Sequence, residues 1–150
     1  MSSLRQILLV DDSERDTELA LNALKASNLL NEVVPLGDGA AALDYLHRRG
    51  EYAGRIGPQP AVILLDLKMP KVDGLEVLRD LKGHPKLKLI PVVVMTSSRE
   101  EQDLVNSYQL GVNAYVVKPV KFQSFVEAVQ QLGAFWAVLN EPPPWDGEGE

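Results

Sequence analysis

Cysteine is absent from this chain of 150 residues. That excludes a disulfide framework, a cysteine metal cluster and a thiol nucleophile, and it suits a reducing compartment. Long apolar runs are absent too, since nothing approaches the roughly 18 consecutive apolar residues of a membrane helix. The first run, Ile7-Leu8-Leu9-Val10, is too short for the core of a signal peptide, and two aspartates rather than small residues follow it. The expectation is a chain that starts near residue 1 and stays in the cytoplasm, with no membrane contact. Basic residues are in the minority, 15 against 21 acids, for a net charge of -6. Chains that coat nucleic acid are usually basic, so direct nucleic-acid binding is not expected. Histidine is scarce, and His47 and His84 both fall on helix or loop surface, neither of them placed as a catalytic base. No internal repeat is found.

What is present is the composition of one globular domain. Hydrophobic residues make up 45% and charged residues 24%, which fits neither a disordered nor a fibrous chain. Short apolar runs recur at Ile7 to Val10, Val33-Val34, Ala61 to Leu65, Val92 to Met95 and Ala114 to Val117. Most lack polar alternation, which is how strands buried on both faces read. Between them the pattern predicts helices over 14–27, 38–49, 74–83, 99–110 and 122–139. Ser13 to Asp16 and Ser98 to Glu101 resemble capping boxes. Residues 49–60 form a polar, Gly/Pro-rich connection, longer than the 2–6 residues typical of such loops. Five strand-helix units in sequence imply an α/β fold with a five-stranded, doubly wound parallel sheet.

Ligands of such sheets bind beyond the C-terminal ends of the strands, near the switch point in strand order. Asp11-Asp12 follow the first strand, Asp66 the third, Thr96-Ser97-Ser98 the fourth and Lys118-Pro119 the fifth. Gathered carboxylates repel one another unless a cation neutralises them. Oxygen donors without histidine or cysteine suit Mg²⁺, which often takes phosphate oxygens as well. A lysine adds a point charge for an anion, and a threonine adds a hydroxyl. This is the equipment of phosphoryl transfer, which is mostly positioning and charge neutralisation. A carboxylate can serve as the nucleophile, and Asp66 ends the most apolar run, which places it centrally.

Over roughly residues 5–132 the chain resembles the receiver domains of two-component response regulators. The residues that carry the likeness are Asp11-Asp12, Asp66-Leu67-Lys68-Met69-Pro70-Lys71-Val72-Asp73-Gly74, Thr96 and Tyr115-Val116-Val117-Lys118-Pro119. The resemblance implies a flavodoxin-like (βα)5 receiver at 1–132, followed by a helix extension and a Pro-rich acidic tail at 133–150. It implies that Asp66 accepts a phosphoryl group from the phosphohistidine of a sensor histidine kinase. Asp12, Asp66 and the Lys68 carbonyl would hold Mg²⁺, with Mn²⁺ as a substitute, and Asp11 would act through a metal-bound water. Lys118 would contact the phosphoryl oxygens, Thr96 would move toward them and Tyr115 would turn inward. The Lys118–Pro119 peptide would be cis.

A narrower likeness lies in the long loop, the Thr96-Ser97-Ser98 run and the end Phe135-Trp136-Ala137-Val138-Leu139-Asn140-Glu141-Pro142-Pro143. These resemble the stand-alone regulators of bacterial phytochromes. That subgroup implies a phytochrome as the kinase and a homodimer built with the last helix, using Phe122, Phe125, Phe135, Trp136 and Leu139. Output would then pass through protein contacts, since no helix-turn-helix or catalytic module is recognisable after residue 132. The chain would act as an enzyme only on its own phosphorylation and dephosphorylation. Three other readings compete with this one. A Mg²⁺-dependent phosphohydrolase usually places a second aspartate two residues after the nucleophile, where this chain has Lys68. A flavodoxin-like mononucleotide binder needs a hydroxyl- and glycine-rich loop where Asp11-Asp12 stand. A receiver degraded to a constitutive adaptor would lack site residues, and none is missing. Four of the acids, Glu141, Asp146, Glu148 and Glu150, lie beyond residue 132, where no Lys or Arg occurs.

Overall fold

A computed structural model describes residues 5–25, 31–69, 71–107, 110, 112 and 114–131. Five strands alternate with five helices: β1 (Ile7–Val10), α1 (Glu14–Lys25), β2 (Val33–Leu36), α2 (Gly39–His47), β3 (Val62–Asp66), α3 (Gly74–Lys82), β4 (Val92–Thr96), α4 (Arg99–Ser107), β5 (Tyr115–Val117) and α5 (Phe122–Gln131). All strand pairs are parallel and the order is β2-β1-β3-β4-β5.

Side-chain alternation along the strands feeds two cores. Leu8, Val10, Ile63, Leu65, Val92 and Val94 face one side, where α2, α3 and α4 contribute Leu46, Leu78, Leu81 and Val105. Ile7, Leu9, Val62, Leu64, Val93 and Met95 face the other, where α1 and α5 contribute Leu24, Phe125 and Val129. Every residue of β1, β3 and β4 is buried, which is why these strands read as unbroken apolar runs.

The element boundaries differ from the sequence reading where a local contact decides them. β2 continues through Pro35 to Leu36, beyond the Val33-Val34 run, because it pairs with β1 alone and a missing N–H is tolerated on an edge strand. β3 and β4 each run one residue further, onto Asp66 and Thr96. α2 stops at His47, where Arg48 turns left-handed (φ 57°). The predicted ends of α1, α4 and α5 at residues 27, 110 and 139 are not all described; among the described residues these helices reach Lys25, Ser107 and Gln131.

The N-caps divide between serine, at Ser13 and Ser98, and aspartate, at Asp38 and Asp73. Ser13 Oγ accepts from the Asp16 amide (3.1 Å) and Ser98 Oγ from the Glu101 amide (3.3 Å). The return bond at the second goes one residue further back, from the Ser97 amide to Glu101 (2.9 Å). A full reciprocal box forms at Asp73 and Glu76, at the start of α3. The long loop contains one 3-10 turn, Gly50–Tyr52. Arginines brace it: Arg55 lies 4.0 Å from the centroid of the Tyr45 ring, and Arg48 donates to the Arg55 carbonyl (2.9 Å).

Candidate functional site

The switch point lies between β1 and β3, where the order reverses. β1 delivers Asp11 and Asp12 there, and β3 ends on Asp66. Oxygen atoms from these three carboxylates lie within 4.8 Å of one another. Asp11 and Asp66 are buried and Asp12 is exposed, so the cluster opens to solvent on one side. A groove of about 650 Å³ between α1 and the end of β2 borders Asp11 and Asp12 on that side.

Lys118 reaches the cluster from the end of β5. Its backbone amide donates to the Thr96 carbonyl (2.8 Å), which ties the two strand ends together. Its ammonium sits 3.1 Å from Asp11 Oδ2, 3.2 Å from Asp66 Oδ1 and 3.1 Å from Asp16 Oδ2. The Lys118–Pro119 peptide is cis. Burial alone disfavours the charged ammonium, but its bonds to Asp11 and Asp16 and the Asp66 charge outweigh this and hold it protonated. Asp66 is pushed up to about 6, first by burial; Lys118 pulls it back down and Asp11 pushes it further up. One lysine thus faces three carboxylates, Asp11, Asp16 and Asp66.

The donor set can be tested against a metal on these grounds. It offers hard carboxylate oxygens and no nitrogen or sulfur ligand, with one lysine ammonium among them. That fits a divalent cation of the oxygen-loving kind.

Thr96 ends β4 beside Asp66 and is fully buried, and its Oγ1 has no hydrogen-bond partner among the described residues. A buried hydroxyl is normally paired, so this one is a group waiting for an acceptor. Tyr115 is half-buried against the core under α2, α3 and α4, and its hydroxyl donates to Asn106 Oδ1 on α4. Lys68 is exposed, and its ammonium pairs with Glu101 Oε2 on α4 (3.1 Å). The Leu67 carbonyl accepts from the Gly74 amide (2.8 Å), folding the loop after Asp66 back onto α3. A Cβ on Gly74 would lie 2.4 Å from the Asp66 carbonyl oxygen, so only glycine allows this approach.

The sequence-predicted residues Asp11, Asp12, Asp66, Thr96 and Lys118 thus converge, with Lys68 at the rim and Tyr115 one strand away. One interface residue needs correcting. Phe125 is fully buried and packs with Leu24, Ala128 and Val129, so the chain's own core uses it and leaves nothing for a partner. Phe122 is half-buried against the same core. Phe135, Trp136 and Leu139 lie outside the described residues. Two residues escaped the sequence reading: Asp16, which looks like a helix-start acid, and Glu101, which looks like a cap. Their contacts cross between elements, and no local pattern marks those. The histidines proved structural: His47 pairs with Asp80 (2.6 Å), joining α2 to α3, and His84 Nδ1 accepts from the Lys86 and Leu87 amides.

A doubly wound parallel sheet with an acidic, lysine-bridged crevice at its switch point defines a signalling domain of the receiver class. The response regulator receiver domain family matches residues 7–130. Response regulator Rcp1 of Synechocystis sp. is 45% identical over 130 residues, covering 87% of both chains. A solved structure of Rcp1 in its Mn²⁺-bound form has a TM-score of 0.69 at 43% identity, covering 93% of this chain and 99% of that one. The bacteriophytochrome response regulator AtBRR is 63% identical with a TM-score of 0.88, covering 93% of this chain and 100% of its own. The phosphorylated cyanobacterial phytochrome response regulator RcpA is 40% identical with a TM-score of 0.72, covering 95% and 99%. The chain belongs to the response regulator receiver family and is a two-component signalling regulator, similar to the regulators that serve phytochromes.

Proposed function

We propose that Asp66 is the phosphoacceptor of this regulator and that a sensor histidine kinase, a bacterial phytochrome, is the donor. The observation that carries this reading is the meeting of Asp11, Asp12 and Asp66 within 4.8 Å, with the Lys118 ammonium 3.2 Å from Asp66. The Asp66 carboxylate attacks the phosphorus of the phosphohistidine. The new P–O bond forms as the P–N bond breaks, and the imidazole leaves with the electron pair. Asp12, Asp66 and the Lys68 carbonyl would hold Mg²⁺, or Mn²⁺ in its place, with Asp11 acting indirectly, and the cation would supply charge neutralisation. Lys118 offsets the phosphoryl charge from the other strand end. The unpaired Thr96 hydroxyl is the donor that moves toward the phosphoryl group, and Tyr115 turns into the space it leaves. Water later hydrolyses the acyl phosphate and returns Asp66.

On this reading the receiver occupies 1–132, and the extension and acidic tail expected at 133–150 lie outside the described residues. The extension, with Phe122, Phe135, Trp136 and Leu139, builds a homodimer in the cytoplasm, and output passes through protein contacts. Lys68 pairs with Glu101 where a phosphohydrolase would carry its acid/base, which supports a self-limited reaction rather than turnover of phosphate esters. The test is labelling from acetyl phosphate or the kinase in Mg²⁺. Wild type takes the label and Asp66→Asn does not; equal labelling of the two would overturn the assignment.

A further inference from the structure

The Lys118 ammonium carries three N–H donors. It meets three carboxylates, Asp11 and Asp16 at 3.1 Å and Asp66 at 3.2 Å. Asp11 and Asp66 also belong, with Asp12, to the cluster that can hold a cation. Asp16 does not. It comes from the first turn of α1, where Ser13 Oγ accepts from its amide (3.1 Å). A cation drawn to Asp11 and Asp66 competes with Lys118 for their oxygens, and two positive groups side by side repel each other. Asp16 is the one carboxylate of the three that cation binding leaves to the ammonium.

We propose that Asp16 is a positioning residue for phosphoryl transfer: it holds the Lys118 ammonium clear of the cation, so that both positive groups reach the same phosphoryl oxygens. This deepens the reading of Asp66 as acceptor and rests on it. The pair adds little to stability, because the Asp16 side chain is 36% exposed and such ion pairs are weak. Its effect falls on the neighbours. Without Asp16, Lys118 leans on Asp11 and Asp66 alone and opposes the cation directly.

The test is a double-mutant cycle read by calorimetric titration with Mg²⁺, without any phosphoryl donor. Asp16→Ala is expected to weaken Mg²⁺ binding about tenfold when Lys118 is present. In a Lys118→Ala background the same substitution is expected to change it less than about twofold. Asp16→Glu, which keeps the carboxylate, is expected to recover part of the loss, and acetyl phosphate labelling slows in parallel. Matching melting curves show that the fold is kept; if Asp16→Ala fails to fold, Asp16→Asn, neutral and of the same shape, takes its place. Unchanged Mg²⁺ affinity would overturn the proposal. So would an equal loss with and without Lys118, which would make Asp16 only a distant charge. The cycle judges Asp16 even if Asp66→Asn were labelled like wild type, which would sink the acceptor assignment separately.

Discussion

Burial raises the Asp66 carboxyl from its ordinary 3.8 to about 6, against the pull of Lys118 and with the help of Asp11. A folded-state value above the unfolded one means that the native state favours the protonated form. The stabilisation is complete below about pH 4 and is lost as pH rises through about 6. Asp66→Asn, which cannot ionise, is therefore expected to match wild type near pH 4 in EDTA and to be more stable above pH 7, by on the order of 3 kcal/mol. Melting curves across that range check this, and parallel curves for the two proteins would contradict it. The unpaired, buried Thr96 hydroxyl makes a second residue-scale statement. Thr96→Val keeps the shape and removes the unpaired group, so stability is expected to hold or rise by about 1 kcal/mol in urea unfolding. A loss above about 2 kcal/mol would reveal a structural partner for the hydroxyl. At this scale the acid pair, Asp66, Thr96 and Lys118 were legible because each directly follows an apolar run. Asp16 was not, since it meets Lys118 across 102 positions of sequence.

The elements explain why those strand ends meet. Five apolar runs and the helical spacing between them were enough to read the parallel, doubly wound sheet, because strands buried on both faces leave no polar alternation. Boundaries were less legible. The apolar run read as Val33-Val34, yet β2 is an edge strand and continues through Pro35 to Leu36. The sequence placed a helix at 74–83 without its cap, and the Asp73–Glu76 box emerges from the fold. The turn into α3 gives the element-scale prediction. Gly74 has room for no Cβ, with the Asp66 carbonyl oxygen 2.4 Å and the Leu67 Cα 2.7 Å from where one would sit. Gly74→Ala is expected to cost about 1–3 kcal/mol of stability and to slow labelling, because the backbone that must shift carries Asp66. Wild-type stability in chemical denaturation, together with wild-type labelling, would contradict this.

For the molecule as a whole, the net charge of -6 divides unevenly, since the last eighteen residues hold four acids and no bases. The core under α1 and α5 claims Phe125, so any self-association by α5 must use its more exposed side and the segment beyond it. The sequence could not separate these roles, because a wide apolar stripe looks the same whether one part faces a core or all of it faces a partner. A chain truncated after Gly133 is expected to sediment as a monomer, and an unchanged dimer would remove the role proposed for the extension. The most direct test of the central claim locates the phosphoryl group itself. Wild-type protein is phosphorylated with acetyl phosphate in Mg²⁺, trapped by borohydride reduction and mapped by mass spectrometry of its peptides. The account predicts modification at Asp66 alone; modification at another residue, or none in the peptide that contains Asp66, would contradict it.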